Sequence, residues 1–120
     1  MGAIVHSLYQ KNNMVIRFKV PLYNQMVTFI VNPEEHELKR FKIFDDYSKG
    51  NLALTFDKLV VVFYVKMEDI TYGLIAHEIY HLVNFMLSHL GLKYSEDSEE
   101  AYAYTTMYIT DEFYKRFNKL

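Results

Sequence analysis

Hydrophobic and polar residues alternate at the centre of Met14-Val15-Ile16-Arg17-Phe18-Lys19-Val20, a run rich in β-forming side chains. Pro21 to Gln25 reads as a short turn and Met26 to Val31 as a second apolar run, so the pair predicts a hairpin. Asn32-Pro33-Glu34-Glu35 has the makeup of a helix start, with Asn32 as N-cap, Pro33 at the first helical position and acids in the first turn. That helix is expected to run to about Asp45 and to turn Leu38, Phe41 and Phe44 inward.

Lys49-Gly50-Asn51 marks a turn. Leu52 to Phe56 and Leu59 to Val65 follow as two strands with Asp57-Lys58 between them. The second is apolar on both faces, which predicts cover on both sides. Glu68-Asp69 opens a long amphipathic helix that ends at Gly91, a residue suited to the position after a helix. Lys93 to Ser98 is a polar connector. A last helix, from about Asp97 to Phe117, carries acids at its start and Lys115, Arg116 and Lys119 at its end, as its dipole favours. The pattern predicts a single α+β domain over residues 1–120. It comprises an antiparallel or mixed sheet of about four strands, one N-terminal helix and two long C-terminal helices.

Composition narrows the function. A chain of 120 residues, 51% hydrophobic and 17% aromatic, can bury a core and is not intrinsically disordered. A net charge of −2 gives no electrostatic reason to expect nucleic acid as partner. The absence of cysteine excludes disulfides, thiolate metal sites and cysteine nucleophiles, leaving nitrogen and oxygen as the only metal donors. Met1 to Lys11 lacks the layout of a secretory signal, and no apolar run reaches the roughly 18 residues of a spanning helix. The expectation is a cytoplasmic protein with no membrane partner.

The residues that carry chemistry are His77-Glu78-Ile79-Tyr80-His81, an H-E-x-x-H pattern inside the long helix. Side chains four apart share a helix face, so His77 and His81 can bring a ring nitrogen each to one ion. Glu78 projects about 100° further round, where a general base could reach a metal-bound water. Random arrangement of this chain's His and Glu would give the pattern in roughly one or two chains per hundred. The bland alternative is a pair of core histidines satisfied by carboxylates or backbone.

A catalytic zinc needs a third protein ligand. His89 lies about 12 Å along the helix from His81, too far to serve. Asn84 and Leu87 stand where a metzincin would have Gly and His. The acidic group Glu96, Asp97, Glu99 and Glu100 lies where the second helix returns; Glu100 is the candidate and Glu99 the runner-up. The same acids are accounted for without metal by the helix dipole, or by a capping box with Asp97 as N-cap and Glu100 at N3. Asn84 shares the histidine face. Tyr102, Tyr104 and Tyr108 are candidate oxyanion donors or simple packing, while His6, His36 and His89 read as surface residues. Gly73, one turn before His77, would permit close approach of a neighbouring element.

H-E-x-x-H followed after eighteen residues by Glu100-Ala101 resembles the gluzincin pattern of zinc aminopeptidases, and the short chain is similar to minigluzincins and to small phage-encoded metallopeptidase-like proteins. The resemblance covers about Asp69 to Tyr108. It implies a small zincin-like fold, Zn2+ held by His77, His81 and Glu100, and water activated by Glu78. There are departures: Tyr104 stands where thermolysin-like enzymes have an Asp, and no second subdomain follows the last helix.

Two functions follow. The first is a zinc-dependent hydrolase, a peptidase acting on a peptide or protein substrate laid along a sheet edge, in which Glu78 takes a proton from zinc-bound water and passes it to the leaving amine. The alternative is a non-catalytic structural or adaptor protein on the same fold, or a latent zincin blocked by its own Met1 to Asn13.

Overall fold

A computed structural model describes residues 13–43 and 51–117. The first strand, β1 (Met14–Val20), leads through a 3-10 turn at Pro21–Tyr23 into β2 (Gln25–Val31), and the two pair antiparallel, Met14 opposite Val31 and Val20 opposite Gln25. Asn24 closes the turn in the left-handed region at φ 53°, a conformation that Asn tolerates better than most residues. Next comes α1 (Glu35–Arg40), followed by β3 (Ala53–Phe56) and β4 (Val60–Phe63). β4 lies parallel to β2 and antiparallel to β3, so the mixed sheet runs β1-β2-β4-β3. Two long helices complete this small α+β domain: α2 (Tyr72–His89) and α3 (Glu99–Phe117).

The pleat sorts the sheet's side chains between two cores. Phe18, Val27, Phe29, Val31, Val61 and Phe63 face α2 and α3, where Ile79, Leu82, Met86, Ile109 and Phe113 meet them. Ile30, Val60 and Val62 face the other way, against Ile43, Leu38 and Phe41. β4 is therefore buried on both faces, as its unbroken apolar run predicts. Phe113 joins α3 to the sheet, its ring 4.7 Å from Phe29 and 6.3 Å from Phe63 between centroids.

Local chemistry moves several boundaries. Asn32 adopts φ 48° rather than capping a helix. Glu34 caps α1 instead, in a capping box with Glu37, whose carboxylate accepts from Glu34 N–H at 2.8 Å and from Asn13 Nδ2 at 2.5 Å. The helix stops at Arg40 because Lys42 turns to φ 59°; Phe44 and Asp45 lie outside the described residues. Between β3 and β4, Leu59 is not the first strand residue but a buried left-handed turn residue at φ 66°. Glu68-Asp69 forms a separate 3-10 turn, and α2 begins after Thr71, whose hydroxyl accepts from Leu74 N–H at 3.0 Å, a cap worth about 1 kcal/mol.

α2 ends as the glycine predicts. Gly91 takes φ 81°, with Gly91 N–H donating to Ser88 and Leu92 N–H to Leu87, the Schellman arrangement. Gly73 is exposed, and a side chain there would meet nothing nearer than Thr71 Oγ1 at 3.9 Å, so no close approach depends on it. Ser98, not Asp97, precedes the first residue of α3, which puts an Asp97–Glu100 capping box out of register by one residue. The Ser98 hydroxyl donates to Lys93 O at 2.6 Å and accepts from Ser95 N–H at 2.9 Å, folding the connector on itself.

Candidate functional site

At about 100° per residue, the buried stripe Ile75, Ile79, Leu82 and Met86 points to the sheet, and His77 and His81 fall on the opposite side of α2. The helical spacing brings their rings together. The two Nε2 atoms are 3.2 Å apart, one able to donate to the other, with the ring centroids 4.8 Å apart and the planes at 70°. The His77 side chain is 64% exposed, and Tyr80 stands edge-on to His81 at 5.8 Å. Asn84, on the same face, is exposed.

Glu78 goes elsewhere. It is only 3% exposed and points at β3, where Thr55 Oγ1 donates to its Oε1 at 2.7 Å. The same hydroxyl lies 3.2 Å from Glu78's own carbonyl oxygen. The second carboxylate oxygen, Oε2, is 3.8 Å from His77 Nε2. Glu78 thus ties the helix to an edge strand of the sheet from beneath the histidine pair. Removing one member of such a buried pair costs about 1–3 kcal/mol. A shallow depression of about 430 Å³, walled by Leu52, Ala53, Asp69, Leu74, His77 and Glu78, opens beside it.

Glu100 does not complete the pair. The buried stripe of α3 is Tyr102, Thr105, Ile109 and Phe113, and Glu100 lies roughly opposite it on the helical wheel, exposed to solvent. Glu99 falls nearer that stripe and lines a different cavity, with Tyr80, Asn84, Tyr94 and Tyr102. Among the described residues, no group of three or more His, Cys, Asp or Glu could hold a metal ion. This corrects the expectation of a Zn2+ cofactor, and with it the gluzincin assignment and the zinc metallopeptidase activity built on His77, His81, Glu100 and Glu78. Among the described residues, the two histidines on this outward helix face have no third donor beside them. The self-blocking segment imagined for the latent alternative falls almost wholly in residues 1–12, outside the described residues.

Sequence reasoning missed Thr55, because nothing in the β3 sequence marks it as the partner of a carboxylate 23 residues later. It also missed the cavity between α2 and α3, where Tyr94 arrives from a connector that reads only as polar. The clearest displaced titrations lie at the far end of α3. Hydrogen bonds from Lys115, then Arg116, hold Glu112 below the usual carboxylate range, and the same contact raises Lys115. Burial, and then neighbouring Tyr72, push Tyr114 up. Among the described residues, no helix is long and apolar enough to cross a membrane. Comparison with known protein families, with curated proteins and with solved structures returns no match to this chain.

Proposed function

We propose that the chain is a non-catalytic structural or adaptor protein, a single domain over residues 1–120 on a small zincin-like scaffold. The observation that carries this reading is Glu78, the residue on which hydrolysis would turn: its carboxylate is buried and bonded to Thr55, joining α2 to β3. A structural acid of this kind accounts for a Glu between two histidines without asking it to move a proton. The adaptor reading also draws support from apolar surface. Leu22, Tyr104 and Met107 are exposed, and Leu22 and Tyr104 border a cavity of about 260 Å³ walled by Val20, Pro21, Tyr23 and Tyr108. Apolar groups gathered in this way mark contact surfaces more often than bare solvent-facing ones.

The reading is tested by incubating the protein with a pool of unfolded polypeptides and following new termini by mass spectrometry, beside Glu78→Gln. Wild type and variant are expected to leave the pool equally intact. Cleavage by wild type that disappears in Glu78→Gln would overturn the proposal.

A further inference from the structure

The cavity between α2 and α3 has a chemistry of its own. It encloses about 240 Å³, and three of its walls are tyrosines from three segments: Tyr80 on α2, Tyr94 in the connector and Tyr102 on α3. The Tyr94 and Tyr102 rings stand 5.1 Å apart between centroids at an interplanar angle of 87°, so they form two adjoining walls at a right angle. Tyr102 is held in place: it is buried, and its hydroxyl donates to Leu92 O at 2.6 Å. Tyr80 and Tyr94 are 68% and 65% exposed, which leaves the mouth open. Glu99 adds a carboxylate to the lining, and among the described residues no Lys, Arg or His lines the cavity.

Aromatic faces present negative charge to whatever they enclose, and a cation within about 6 Å of a ring centroid is attracted by it. The chain around the cavity strengthens that field. From Lys93 to Glu100 there are four carboxylates, at 96, 97, 99 and 100, against the single cation of Lys93. The first turn of α3 contributes only about half a positive charge from its dipole, against the four acids of residues 96–100. A desolvated anion would be repelled here, and a neutral apolar group would leave Glu99 without a counter-charge.

We propose that this cavity binds an organic cation through its alkylammonium head, with Tyr80, Tyr94 and Tyr102 as the aromatic walls and Glu99 as the counter-charge. The site is independent of the adaptor reading, because it rests on a different face of α2 from Glu78 and on none of the same bonds. The head can arrive on a free quaternary amine or on the side chain of a methylated lysine in a partner, whose stem would leave through the open mouth.

The test is a titration of the full chain, followed by the aromatic resonances of its tyrosines, with choline, with the neutral isostere 3,3-dimethylbutanol, and with a short peptide carrying N-trimethyllysine. Choline is expected to shift a subset of tyrosine resonances saturably and to bind several-fold more tightly than the isostere. Tyr94→Leu, at an exposed position, is expected to weaken choline by roughly two- to thirty-fold, and Glu99→Gln to weaken it in the same direction. Tighter binding of the peptide than of choline assigns the tethered source; the reverse assigns the free amine. Equal binding of choline and its neutral isostere, shifts that never saturate, or indifference to Tyr94→Leu would overturn the proposal.

Discussion

Two flanks of α2 carry candidate sites, and they come about in opposite ways. The H-E-x-x-H flank is written in five consecutive residues, and the helix converts their spacing directly into two touching imidazoles. What the spacing does not supply is a third donor, which depends on the phase at which α3 returns; Glu100 comes back facing solvent. The tyrosine cavity has no motif at all. Its walls come from a helix, a connector and a second helix, and only the packing of α2 on α3 assembles them. A short local pattern therefore advertises chemistry that the tertiary structure leaves unfinished, while a cavity with defined chemistry goes unadvertised.

The contrast can be broken most forcefully at Phe113. Its ring locks α3 against Phe29 and Phe63, so Phe113→Ala is expected to cost about 3–5 kcal/mol in denaturant unfolding. Because α3 supplies Tyr102 whereas the Glu78–Thr55 tie joins α2 to β3, amide-exchange protection should fall more in α3 than across the tie. Equal loss in both would mean that the two regions open as one unit.

The smallest effect sharpens the comparison between carboxylates. Glu112 is met at the end of α3 by Lys115 at 2.8 Å and Arg116 at 3.0 Å. Its proton affinity is lowered in the folded state, so its contribution to stability is present above the ordinary carboxylate value and is lost as pH falls through the lower folded one. Glu112→Gln should thus be marginally less stable than wild type near neutral pH and indistinguishable from it in acid, measured by unfolding midpoints across that range. A difference that grows in acid would reverse the sign. Being a surface interaction, it should also shrink with salt.

Much of the fold was legible because it follows local rules. The alternation of Met14 to Val20 matches β1 residue for residue, and Gly91 ends α2 with the positive φ that glycine admits most readily. Boundaries slipped where one polar residue competed with its neighbour. Glu34 displaced Asn32 as a cap, Thr71 displaced the acids before it, and α3 starts at Glu99, two residues past Asp97. The parallel pairing of β2 with β4 cannot be read from either strand alone, since both are simply apolar. The site was legible only as far as its helix. His77 and His81 meet as their spacing requires, but the orientation of Glu78 depends on Thr55, and Thr55 reaches it only because β3 sits at the sheet edge under α2.

The most direct measurement of the central claim, that Glu78 is a tie and not a base, is a double-mutant cycle of unfolding free energies with Glu78→Ala and Thr55→Val, with His77→Ala as the exposed control. Each member of the pair is expected to cost about 1–3 kcal/mol alone, with a coupling of about 1 kcal/mol between them and a change within about 0.5 kcal/mol for His77→Ala. A Glu78→Ala protein as stable as wild type or more so, with no coupling to Thr55, would contradict the account, because an acid kept at a cost to stability is one kept for its chemistry.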